Sequence, residues 1–445
     1  MIAVSQGGIS FRVLNEVSMQ RRNGSALLEI IDFEAIRNIL YGADNELLCL
    51  NLFTLIGKSF IVDLCESNDK GEIILTATKG LEGIVATTSS ISSIIDGVLT
   101  YRGINIDDLA ENATFEEVVY LLWYGKLPNR SELSGLIQEL NSNAAVPAEV
   151  LNQIKLYPKD VNTMAALRTA VSSLALYDPE AGDMTPESNL RKAIKLQAQL
   201  PTIVAAFDRI RKGLEPIAPK ADAGSISENF LYMLTGKNPE KIAIEALDKA
   251  LVLHADHELN ASTFAARVTV ATLSDIYSGV TSAIGALKGP LHGGANEAVM
   301  AMLEEIGTAA NVKSYITEKL ENKQKIMGFG HRVYKNGDPR AKHLQKMSQE
   351  LGKLTGNMNW YDMSIQIEEL VTGQKGLKPN VDFYSASVYT SLEIPRDLFT
   401  PIFAISRTSG WTAHILEQYE NNRLIRPRAE YTGPSHQAYV PIEKR

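Results

Sequence analysis

From Ile104 onward the chain reads almost entirely as helices joined by short connectors, and a sequence of that kind must fold as a largely all-α protein. Thr114 followed by Glu117 forms a capping-box pattern ahead of Val118, Val119, Leu121, Leu122 and Trp123, whose spacing marks an apolar helical face. Pro147 fits the first turn of a helix through Val150 and Ile154, and residues 163–176 carry alanine and leucine at helical intervals. Thr185 and Pro186 open another helix, in which Pro201 removes a backbone donor and predicts a kink. Asn238 and Pro239 supply an N-cap and a first-turn proline for residues 242–254. The alanine- and serine-rich stretch 262–287 reads as one helix, buried or at a dimer interface, which Gly289–Pro290 must end. Further helices are expected after Asp338–Pro339 and over 396–418, the latter interrupted at Gly410. No sustained strand alternation follows Thr100, and short strands are expected only near residues 89–101.

A chain of 445 residues, 45% hydrophobic, can bury large cores and leads us to expect two or three domains. Its net charge of −8 gives no support for a nucleic-acid surface, which needs a basic stripe. Both cysteines, Cys49 and Cys65, precede the helical region, so neither a disulfide scaffold nor a cysteine nucleophile belongs to the main body. The apolar run 47–56 contains Asn51 and is followed by Lys58, too short for a bilayer. These features point to a reducing cytoplasm, with neither a membrane role nor a signal peptide. Residues 1–74 differ from the rest: they have no proline, histidine or tryptophan and no clean apolar period.

The residues suited to chemistry gather later. Five of seven histidines, His254, His257, His292, His331 and His343, fall within one short stretch, three segments of which are dense in glycine and polar groups. His254 and His257 stand three apart, which on a helix puts both rings on one face; capping, anion binding and a metal pair all fit that spacing. His292, in GPLHGGAN, precedes a helix start. The positive end of that helix favours a neutral imidazole able to donate to an oxyanion, and a simple turn-capping histidine fits equally. GFGHRVYKNGDPR joins His331 to Arg332, Lys335 and Arg340 around glycines, suited to a phosphate or carboxylate or to a solvated basic loop. Asp382, between apolar and aromatic neighbours in NVDFYSAS, is either buried and paired or a base of raised pKa. Arg407, mid-helix in an apolar stretch, needs an anionic partner.

Taken in order, LHADHE, GPLHGGAN, GFGHRVYKNGDPR, NVDFYSAS, ISR and RPR closely resemble the citrate synthase family, and the shorter dimeric bacterial members above all. The resemblance runs from about Thr76 to the C-terminus. It implies that Asp382 takes a methyl proton from acetyl-CoA, that His292 hydrogen-bonds the thioester oxygen, and that His331 hydrogen-bonds and protonates the ketone of oxaloacetate. His257, Arg340 and Arg407 match oxaloacetate-binding positions, Arg426 one supplied by the neighbouring subunit of a homodimer, and Lys335 a contact to the phosphates of CoA. No metal or cofactor is implied; His254 and His343 are left as structural.

The family fold is a large helical domain with a smaller helical domain closing over a cleft. Carried onto this chain, the large domain takes residues 75–293 and 393–445 and the small domain 294–392. The close relative 2-methylcitrate synthase, which uses propionyl-CoA, shares the same residues and is the alternative. Residues 1–74 match nothing in the family, and Leu75 is the expected true start, read from a TTG codon.

Overall fold

The computed structural model describes residues 79–445 except Glu82, Arg332 and Lys335, together with β1 (Val4–Ser5) and β2 (Gly8–Ile9), which pair antiparallel. The expected start at Leu75, and all else in the N-terminal segment 1–74, lie outside the described residues. The chain divides into two compact units: Met1–Ala86 with Glu430–Arg445, and Thr87–Ala429. In the first, the described parts include β1 and β2 and short 3-10 turns at Lys79–Leu81 and Ile442–Lys444.

The second unit opens with a small meander, β3 (Ser92–Ile95), β4 (Val98–Tyr101) and β5 (Ile104–Asn105). Its first turn is Asp96–Gly97, both at positive φ, the backbone that a two-residue hairpin of matching twist demands. All else regular is helical: α1 (Ile106–Asn112), α2 (Phe115–Tyr124), α3 (Arg130–Ser142), α4 (Ala148–Lys155), α5 (Thr163–Leu174) and α6 (Pro186–Arg211). Then follow α7 (Ile226–Thr235), α8 (Lys241–His254), α9 (Ala261–Val270), α10 (Ile276–Leu287) and α11 (Ala295–Ile306). The last are α12 (Val312–Glu321), α13 (Ala341–Thr355), α14 (Asn359–Lys375), α15 (Val381–Ser391) and α16 (Phe399–Glu420). The all-α class expected from the periodicity is the class observed.

The expected boundaries hold where side-chain chemistry dictates them. Thr114 and Glu117 close a reciprocal capping box on α2, a cap of the kind that contributes about 1 kcal/mol. Thr185 caps α6 with Pro186 in its first turn, and the helix continues through the buried Pro201 to Arg211. Three expectations are corrected. The stretch read as one helix over 262–287 is a hairpin, α9 packed on α10, because Leu273 turns at positive φ and Asp275 caps a new start by accepting from the Ser278 amide. Asn238 does not cap α8; its Oδ1 accepts from Lys220 Nζ at 2.8 Å, and α8 begins after Glu240. Gly410 does not interrupt α16. A Cβ there would stand 2.4 Å from Ala255 O and from Asp256 Oδ1, so glycine is what lets α16 lie against the turn after α8.

α16 is the axis of the core. It is buried from Phe399 to Ile415 and packs against α2, α6, α8, α9 and α10. Large side chains enclosed along it, such as Phe399 and Trp411, each contribute roughly 2–3 kcal/mol of apolar burial. Some of its buried hydroxyls are satisfied within the helix, Thr408 donating to Ala404 O and Thr412 to Thr408 O, each at 2.7 Å, while Ser406 donates to Leu251 O of α8. Helices α11 to α15 pack chiefly on one another, with α13 and α11 both against α15.

Candidate active site

The site begins where α8 ends. His254, the last residue of α8, is fully buried, with its Nδ1 2.7 Å from Ala250 O, while its own carbonyl accepts from Arg407 Nε at 2.7 Å. Burial pushes its pKa down to about 3, so it is a neutral anchor. Because the helix ends here, His257 is not on a helical face with it, and the geometry for a shared metal pair does not form. His257 instead stands in the following turn, ring centroid 5.2 Å from that of His331, with Nε2 3.0 Å from Tyr334 Oη. Burial, with Arg340 and Arg407 nearby, drops its pKa well below the ordinary value. Among the described residues no group of three or more histidine, cysteine or acidic side chains is arranged to hold a metal ion.

His292 and His331 are held by opposite nitrogens. The Ser262 amide, in the first turn of α9, donates to His292 Nε2 at 3.3 Å. Ser262 Oγ lies 2.8 Å from the same nitrogen and itself accepts from Trp411 Nε1 at 3.0 Å. An N–H can only donate, so Nε2 is the bare nitrogen and the proton of neutral His292 resides on Nδ1. His331 is the reverse: the amides of Val333 and Tyr334 donate to its Nδ1 at 3.1 and 3.3 Å, leaving the proton on Nε2. Both rings are kept neutral, pushed down to about 4 by burial first, then by Arg407 for His292 and Arg340 for His331. The helix N-terminus invoked from the sequence is not the principal cause for His292; desolvation is.

Asp382 lies in the first turn of α15, whose start is fixed by Asn380 accepting from the Asp382 amide at 3.1 Å. Its Oδ1 is buried without a hydrogen-bond partner. Burial lifts the pKa to about 7; Asp338 adds to the rise, and Arg340 and Arg407 oppose it. The sequence left a choice between a paired acid and a raised base, and the geometry is that of the unpaired, raised one.

Arg340 and Arg407 are both buried, 2% and 1% exposed. Arg340 gives Nε and one terminal nitrogen to Asp338 at 2.9 and 2.8 Å, leaving the other, whose nearest acceptor is Leu253 O at 3.5 Å. Arg407 spends only Nε, on His254 O, and its guanidinium lies 4.7 Å from the Phe403 ring centroid; burial lowers its pKa to about 10. Two cationic groups so enclosed, each with donors to spare, mark a place for an anionic ligand. Arg426 is exposed, in the extended chain beyond α16, away from this cluster's hydrogen bonds. Lys335 lies outside the described residues. His343 Nε2 donates to Asp107 Oδ1 at 2.7 Å.

Sequence reasoning passed over several members. Asp338 holds Arg340 and also accepts from the Val381 amide at 3.0 Å, tying the arginine to the first amide of α15. Phe403 is a wall common to His254, His292 and Arg407. Behind the turn, His414 Nε2 is 3.2 Å from Asp256 Oδ2 and its Nδ1 3.0 Å from an Arg267 nitrogen, a buried brace between α16 and α9. The aspartate beside Arg340 in DPR was a readable signal; the brace had none.

Residues 80–428 match the family model described as citrate synthase, C-terminal domain. Citrate synthase 2 of Bacillus subtilis is 68% identical over 372 residues, 83% of this chain and all of that protein. 2-Methylcitrate synthase 2 of Corynebacterium glutamicum is 43% identical over 374 residues, 82% of this chain and 97% of that protein. Among solved structures, the citrate synthase of the archaeon Thermoplasma acidophilum, in ternary complex with carboxymethyl coenzyme A and oxaloacetate, superposes with a TM-score of 0.77. It is 36% identical, over 82% of this chain and 99% of that one.

Proposed function

The chain belongs to the citrate synthase family, and we propose that the cluster around Asp382 carries out that family's chemistry. The enzyme is an acyltransferase that condenses acetyl-CoA with oxaloacetate and hydrolyses the citryl thioester to citrate and CoA. The observation that carries the assignment of roles is the unpartnered Asp382 Oδ1, raised towards neutrality, within the field of two buried arginines.

Asp382 removes a proton from the acetyl methyl group. His292 donates from Nδ1 to the thioester oxygen as charge develops there, an interaction typically worth about 3–4 kcal/mol in a dry site. His331 donates from Nε2 to the ketone oxygen and protonates it as the carbon–carbon bond forms. Water then cleaves the thioester. Arg407, the free end of Arg340 and His257 receive the carboxylates of oxaloacetate, and Arg426 reaches in from a second copy in a homodimer. Lys335 contacts the phosphates of CoA. In this reading no metal or cofactor takes part, since acid, base and donors are all side chains.

Residues 294–392 act as a small domain that closes on the large one, formed by 75–293 and 393–445, and excludes water from the cleft. None of the described helices is long and apolar enough to cross a membrane, and the reading places the enzyme in the cytoplasm.

The alternative is use of propionyl-CoA, one methylene longer, a difference worth about 1–3 kcal/mol in a pocket. The relative named for citrate is 68% identical and that named for 2-methylcitrate 43%, which favours acetyl-CoA. A CoA-release assay with purified enzyme, oxaloacetate and each acyl-CoA decides it: kcat/KM is expected to be higher with acetyl-CoA, and a clear propionyl preference overturns the choice.

A further inference from the structure

We infer that Tyr334 is a positioning residue of the oxaloacetate site, its hydroxyl holding His257 in the orientation that receives the substrate. The inference deepens the proposed function and rests on His257 being an oxaloacetate ligand.

Tyr334 is 4% exposed and touches three members of the cluster at once. Its Oη is 3.0 Å from His257 Nε2 and its ring is edge-on to that imidazole at 5.5 Å. The same ring lies 4.6 Å from His331, and the Arg340 guanidinium is 5.9 Å from its centroid. Its amide is one of the two that cap His331 Nδ1.

Packing alone would be served as well by phenylalanine. A hydroxyl buried here needs a partner, and the partner it has is a side chain of the substrate pocket rather than a backbone carbonyl. Burial raises the phenol's pKa further above neutrality, so the group stays a protonated, uncharged donor and acceptor. Because His257 is neutral too, the pair adds no charge to a pocket that needs its positive potential for a dianion. Without the hydroxyl, His257 keeps its backbone position but loses the contact that fixes its ring, and substrate must then order it.

Steady-state kinetics of the full-length Tyr334→Phe, His257→Gln and double variants test this. Tyr334→Phe is expected to raise KM for oxaloacetate roughly five- to tenfold, the value of one hydrogen bond, with the loss falling on KM rather than kcat. His257→Gln is expected to raise it at least as much, and the double variant to match His257→Gln alone. An unchanged KM in Tyr334→Phe, or losses that multiply in the double variant, overturns the positioning role. If Tyr334→Phe lowers the melting temperature and raises KM for both substrates alike, the residue is structural and the inference falls. Should His257→Gln itself leave KM for oxaloacetate unchanged, the assignment of His257 fails first and this inference with it.

Discussion

The turn after α10 and the loop before α13 each carry one neutral histidine of the site, yet they are built in opposite ways. His292 is capped from another element, by the amide and hydroxyl of Ser262 at the start of α9, and is left with Nδ1–H. His331 is capped by its own chain, by the amides two and three residues on, and is left with Nε2–H. Each ring is a donor because backbone N–H groups occupy its other nitrogen and burial denies it a second proton. The lesson is that a histidine's role is written in which nitrogen the backbone claims, not in the ring or its neighbours in sequence.

The largest test of that contrast removes the proposed base. Asp382→Asn keeps shape and both histidines but no base, and kcat is expected to fall roughly 10³-fold. A loss under tenfold in a CoA-release assay would mean that one histidine is the base and that the two stations are not both donors. A sharper test exchanges each histidine for the amide that mimics one nitrogen. Asparagine places its NH₂ near the Nδ1 position and glutamine near Nε2, so His292→Asn should outperform His292→Gln, and His331→Gln should outperform His331→Asn. Losing a donor outright costs about 10²-fold in kcat, and the matched amide should recover about a tenth of that or more. Equal activities within each pair would erase the distinction.

The smallest effect is the pH dependence. In the proposed mechanism the active form of Asp382 is the carboxylate, and its pKa in the free enzyme is raised to about 7, so kcat/KM should climb with pH through about 7 and drop roughly tenfold between pH 8 and 6. The histidines, pushed down to about 4, are neutral across that window and contribute no limb. The same limb should persist in His292→Asn; its disappearance would assign it to the ring.

Much of this was legible in the chain. Helix starts fixed by local chemistry, such as Thr114 with Glu117 and Thr185 with Pro186, were readable because the cap and its target lie within four residues. Asn238 misled because its partner, Lys220, comes from elsewhere in the fold. The glycine-flanked histidines and Asp382 stood out by residue type, but their tautomers did not, since those depend on Ser262 and on loop amides that any sequence could supply. Tyr334 was in full view inside the basic loop and passed over, because charge drew attention to Arg332, Lys335 and Arg340 instead.

Asp338 has a consequence for anyone wishing to redirect this pocket to another keto acid. One carboxylate holds the guanidinium of Arg340 and the first amide of the helix that presents Asp382. On the proposed roles, substitutions at Arg340 would therefore also bear on Asp382, the proposed base. Residues 338–340 and 380–382 are thus best redesigned as a single piece.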